Sequence, residues 1–161
     1  MPEQLFDRTS RGCTFEDLDS RLRTAIQAIA ETELLGDAAS TAVACVETRS
    51  VPRRRPGVFA RLLGGDPQRA TLSAAVLLPR HLLVAVTDTH TGKTTAHSGR
   101  LADMTVTEVD QRLAVDPGVS VFTRWSNRSE AESMHVALGD DPAGASFKDM
   151  LRHAVQAARR G

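Results

Sequence analysis

The segment from Ala70 to Gly99 limits the possible folds more than any other part of this chain. It reads as three strands joined by tight turns: Ala70–Leu78, a turn at Pro79-Arg80, His81–Asp88, a polar turn at Thr89–Gly92, and Lys93–Ser98. Leu72, Val76, Leu77, Leu78, Leu82, Leu83, Val84 and Val86 make it the most apolar stretch of the protein. A meander with that much apolar surface needs cover, and the remaining segments are read as the layers that supply it.

Residues 1–12 are polar, lack periodicity and are expected to be mobile. Thr14 is expected to cap a helix, with Asp17 three residues on as its capping-box partner. Phe15, Leu18, Leu22, Ala25, Ile26 and Ile29 then recur at spacings of three and four, and Gly36 should stop the helix near Leu35. Such a stripe does not stay solvated, so Leu18, Leu22 and Ile26 should be buried, on the sheet or across a homodimer. Further strands are expected at Thr41–Arg49, Leu101–Val109, Val119–Trp125 and Ser133–Leu138. A closing helix spans 146–159, capped by Ser146 and carrying the stripe Phe147, Leu151, Val155. That stripe should be buried against Leu83, Val121 or Val136.

Composition narrows the function classes. The 161 residues carry 20 basic and 20 acidic side chains, so the whole molecule has no electrostatic bias toward nucleic acid or membrane. Trp125 and the five Phe do not interleave with the basic residues, and Tyr is absent, so a stacking platform for nucleic acid is missing. No apolar run reaches the about 18 residues of a membrane span, and the start lacks the pattern of a signal peptide. The two cysteines, Cys13 and Cys45, make neither a metal cluster nor a disulfide framework. A cytoplasmic protein with reduced thiols is expected, peripheral contact with a membrane being the further option.

Seven consecutive antiparallel strands closed by one amphipathic helix resemble the pleckstrin-homology-like superfamily. The hairpin Ala75–Val86, the turn Thr91-Gly92-Lys93 and the segment Arg100–Val106 resemble its bacterial members. The resemblance covers roughly residues 40–160. It implies an α+β fold: a bent, half-open barrel of seven strands with one open end plugged by the C-terminal helix. Residues 1–40 would then be a tail and an extra helix packed on a domain spanning 41–161. Members of this superfamily bind lipids, peptides or proteins, so the resemblance implies a binding or scaffold module and not a reaction.

The long loop at 50–69 is the candidate site. Prolines 52 and 56 should keep it out of the sheet. Arg49, Arg53, Arg54, Arg55, Arg61 and Arg69 face only Asp66 within the interval, with Phe59, Leu62 and Leu63 among them. In lipid-binding members of the superfamily the loop between the first two strands carries the basic phosphate contacts, and Arg53, Arg54, Arg55 and Arg61 match it by position. A lysine usual in that motif is missing here. The candidate contact set is Arg53, Arg54, Arg55, Phe59, Arg61 and Leu62, facing a partner protein or an anionic surface; a purely solvated loop is the third reading.

Other constellations read as structural. His90-Thr-Gly-Lys-Thr-Thr lacks the first glycine of a phosphate loop and the helix that should follow, so it is read as a hairpin turn. His81, His90, His97, His135 and His153 have no companion at metal-ligand spacing. Ser98, His97 and Asp103, or Ser73 and His81, could be assembled into a hydrolytic set, but no nucleophile elbow accompanies them. A non-catalytic protein without metal or cofactor is expected, a small hydrolase or metal enzyme being the least supported reading.

Overall fold

The computed structural model describes residues 4–53, 69–108 and 116–161. Among these, eight strands form two antiparallel sheets. The larger sheet has the order β1 (Phe6–Cys13), β2 (Ala44–Pro52), β3 (Thr71–Leu77), β4 (His81–Asp88), β5 (Thr94–Arg100). The smaller has β6 (Thr105–Glu108), β7 (Gly118–Thr123) and β8 (Glu132–Ala137). Helix α1 (Ser20–Thr32) and the single turn α2 (Ala38–Thr41) lie between β1 and β2, and α3 (Pro142–Arg160) ends the chain.

The continuous apolar runs of β3 and β4 follow from cover on both faces. Leu22, Ile26, Ile29 and Ala30 of α1, with Phe15 and Leu18, form one core with Cys45, Ala74, Val76, Leu83 and Ala85. On the other face Val46, Ala75, Leu77, Leu82 and Val84 meet Val119, Val121, Val136, Phe147, Leu151 and Val155. Burying each such large side chain stabilises the fold by about 1.5–3 kcal/mol. The stripe of α1 is thus covered within one chain. Leu83, expected against the C-terminal helix, faces α1 instead, because successive strand residues point to opposite faces and Leu82 and Val84 take the α3 side.

Several boundaries differ from the sequence expectation. The strand count is eight and not seven, because Phe6–Cys13 pairs with β2 along its length. Thr14 Oγ1 donates to Asp17 Oδ2 (2.8 Å), and the backbone there makes a short 3-10 turn, Phe15–Asp17. The cap of α1 is Asp19, which accepts from the Arg21 N–H. The helix ends at Thr32: Leu34 turns left-handed (φ 57°), and the Leu34 and Leu35 N–H groups return to Glu31 and Ala30. Residues 101–103 form a second 3-10 turn before β6. Pro52 is the last residue of β2 and not outside the sheet; its missing N–H is directed away from β1, past the start of β3. Asp141, not Ser146, caps α3, and Pro142 starts that helix where a missing N–H costs nothing.

The N-terminal strand is joined to the second sheet by side chains. The Arg53 N–H donates to Leu5 O, which fixes the hydrogen-bonded pairs of the β1–β2 ladder at odd positions of β1. The N–H groups of Phe6 and Ser10 therefore point outward. Asp116 Oδ1 accepts from Leu5 and Phe6 (both 2.9 Å), and Asp141 Oδ2 accepts from Ser10 (2.7 Å). Ser10 Oγ accepts from the Gly139 N–H (2.8 Å). Arg8 donates through Nη1 to Pro117 O (2.6 Å), where it also meets His135 Nε2 (2.7 Å), and through Nε to Ser50 Oγ (3.0 Å). Gly118 has φ 150°, and a Cβ there would stand 2.7 Å from His135 Nε2.

Two outcomes follow. Leu151 is fully buried in the core under α3, so Leu151→Asp should cost more than about 3 kcal/mol in chemical denaturation; a loss below about 1 kcal/mol would contradict the packing. His135 is held below its ordinary pKa, chiefly by burial of its ring and then by Arg8, against the Pro117 carbonyl and Asp116. His81 is lowered as well, by burial and then by Arg100 and Arg80. The unfolded chain therefore binds these protons first, and stability complete above about pH 6.5 falls on acidification. The urea midpoint should decline between about pH 7 and pH 5.5, with part of the slope removed by His135→Gln. A flat or rising midpoint over that range would contradict the seam.

Candidate binding cleft

The candidate residues of the basic loop separate on inspection. Arg53 lies just beyond β2, with its Nε 2.6 Å from Asp7 Oδ1. Arg69 at the other end reaches Asp88 at 3.5 Å. Asp66 is therefore not the arginines' only counter-charge: chain folding brings carboxylates from β1 and β4. Both pairs are exposed and add little to stability. Arg54, Arg55, Phe59, Arg61 and Leu62 lie outside the described residues.

The hydrolytic sets do not assemble. His97 and Ser98 are neighbours on β5 and point to opposite faces. Asp103 is drawn to Arg100 at 3.9 Å. Ser73 stands opposite Val86, five residues along β4 from His81. Among the described residues no three His, Cys, Asp or Glu side chains gather as metal ligands. Asp88 accepts from the N–H groups of His90 and Thr91, and Gly92 has φ 75°, so this segment is a side-chain-braced hairpin turn.

A cleft of about 420 Å³ opens instead at the end of β5. Its walls are the chain after α1 (Glu33, Leu35), the start of β4 (His81), the end of β5 (Ser98, Gly99, Arg100) and the turn after β7 (Arg124–Arg128). That turn is docked on the outer edge of β5. The Ser126 N–H donates to Ser98 O, and Ser126 Oγ accepts from the Ser98 N–H, both at 2.9 Å. Asn127, at φ 64°, makes the reversal, a conformation asparagine tolerates better than most residues.

Trp125, the one tryptophan of the chain, is 1% exposed and lines this cleft. Gly99 makes room for its neighbourhood: a Cβ there would stand 2.7 Å from Met104 Cε, 2.9 Å from Thr123 Cγ2 and 3.5 Å from Trp125 Cε3. The indole Nε1 has no acceptor among the described residues, and neither do Thr123 Oγ1 and His97 Nδ1 nearby in sequence and sheet. A buried N–H without an acceptor is costly.

The charge of the cleft is biased. Arg100, Arg124 and Arg128 face two carboxylates, Glu33 and Asp103. Arg100 leans on Asp103, and Arg128 reaches Glu132 at 3.2 Å; Arg124 has no carboxylate partner among the described residues. His81 stands opposite Arg100 in the β4–β5 ladder, and burial with Arg100 and Arg80 keeps it neutral at pH 7. His81 and Arg100 also border a second groove of about 580 Å³, lined as well by Arg80, Ala102, Ala154, Ala157 and Ala158. The arrangement can hold an anionic group beside arginine and give an extended ligand an apolar track onward.

Sequence reasoning missed this cleft. Arg100, Arg124 and Arg128 share no motif spacing, and the docking of the turn after β7 on β5 at Ser98 brings them together. The single tryptophan was the available signal. No helix of the described residues is long and apolar enough to cross a membrane. No protein-family model, curated protein or solved structure matches the chain.

Proposed function

We propose that this chain is a non-catalytic binding module of pleckstrin-homology-like architecture that recognises an acidic segment of a partner protein in the β5 cleft. The architecture is supported by the succession β2–β5 in one sheet, β6–β8 in a second and α3 packed against both, with β1 and α1 as additions. The observation that carries the ligand reading is the gathering of Arg100, Arg124 and Arg128 in one concavity that is also lined by Trp125, whose buried indole N–H has no acceptor among the described residues. A carboxylate meets both needs, since it accepts from guanidinium and indole donors alike. The groove beside it, lined by four alanines, suits the backbone and small side chains of an extended peptide.

The exposed arginines act mainly on specificity and on the rate of encounter, so binding should weaken with added salt. A bound carboxylate also raises the pKa of His81, so binding takes up a proton there and affinity should rise as pH falls from about 7 to 6.

The test is a titration of Trp125 fluorescence with a Glu-rich peptide and, separately, with phosphatidylserine vesicles. A saturable change with the peptide is expected. Arg124→Glu with Arg128→Glu should weaken binding at least about tenfold, with the thermal midpoint within about 2 °C of wild type. Saturation by vesicles alone, lost when Arg54, Arg55 and Arg61 are changed to Glu, would replace this reading with anionic-lipid binding through residues 53–63. Peptide binding that ignores the cleft substitutions would overturn it.

A further inference from the structure

Cys13 and Cys45 are far apart in sequence, with α1 and α2 between them, yet they are directly opposed in the β1–β2 ladder. The odd positions of β1 are the hydrogen-bonded ones, as the bond from Arg53 N–H to Leu5 O establishes, and Cys13 is among them. Directly opposed residues put their side chains on the same face of the sheet. Hydrogen-bonded antiparallel partners have Cα atoms about 5.5 Å apart, within the range that a disulfide spans. Both thiols are free, with Cys45 buried in the core beneath α1 and Cys13 half-buried at its margin.

We propose that this pair is a thiol oxidation site that closes to an intrachain Cys13–Cys45 disulfide by exchange with a low-molecular-weight disulfide of the glutathione type. Cys13 is the entry point, because it lies on the outermost strand and is the more exposed of the two. Its thiolate attacks one sulfur of the oxidised tripeptide, forming a mixed disulfide and releasing one reduced tripeptide. The Cys45 thiolate then attacks the Cys13 sulfur, expelling the second reduced tripeptide. Two protein thiols are oxidised, one small disulfide is reduced, and the thiol protons go to the released thiolates.

The environments order the two steps. Burial raises both thiols, Cys45 to about 12, while Arg11 beside Cys13 opposes that rise. Ring closure is therefore the slow step; the ladder holds its reactants together and so compensates in part for the scarcity of thiolate. The closed bond ties β1 to β2 across the segment that carries α1 and α2, whose connection supplies Glu33 and Leu35 to the cleft.

The experiment incubates the full native chain with excess oxidised glutathione, quenches with an alkylating reagent and records the intact mass. The expected product is monomeric, has lost two hydrogen masses and takes up no alkyl group, and its formation speeds up as pH is raised. Cys45→Ser should stop at a single glutathione adduct, and Cys13→Ser should leave Cys45 unmodified in the folded protein. Two alkylatable thiols in the wild type after prolonged incubation, a stable adduct on Cys13, or a disulfide between two chains would each overturn the proposal.

Discussion

The structure depends on burying both faces of one sheet. β3 and β4 carry apolar side chains at successive positions, so whichever face is covered, the other still presents Ala75, Leu77, Leu82 and Val84 or Ala74, Val76, Leu83 and Ala85. A half-solvated sheet would leave several large side chains in water, at about 1.5–3 kcal/mol each. The helix α1 answers on one side; β6–β8 and α3 answer on the other. The chain before β2 and the chain after β5 are thus needed for the same reason, each covering its own face.

That two-sided cover leaves a problem at the sheet edges. β1 is a polar strand, Phe6-Asp-Arg-Thr-Ser-Arg-Gly-Cys, and outward N–H groups left bare on such an edge would pair with another chain. Asp116 and Asp141 occupy the N–H groups of Phe6 and Ser10, and Arg8 reaches across to Pro117 and His135. At the opposite edge, Ser126 does the same for β5 at Ser98. Edge protection by side chains positions both the pH-sensitive seam and the cleft, since the turn that caps Ser98 brings Arg124 and Trp125 with it.

These features explain what could be read in the sequence. Strands β3 and β4, the stripes of α1 and α3, and the turns at Pro79-Arg80 and Gly92 were legible because hydrophobic spacing and turn chemistry encode them locally. β1 was not, because Arg8 and Ser10 hold their places through hydrogen bonds to partners more than 100 residues away. The start of α3 was misplaced because Asp141-Pro142 serves equally as a strand breaker and as a cap followed by a first helical residue. The basic loop drew attention because its arginines are adjacent in sequence. Arg100 meets Arg124 and Arg128 only in space, through the docking of the turn after β7 on β5.

The most direct measurement of the central claim is an NMR titration of the isotope-labelled chain with a Glu-rich peptide, following the single indole N–H resonance of Trp125. Binding in the cleft should shift that proton downfield as it gains an acceptor, with backbone shifts confined to His81, Ser98–Arg100 and Arg124–Arg128. An unmoved indole resonance at saturation, or shifts centred on Arg53 and the β1 seam, would contradict it.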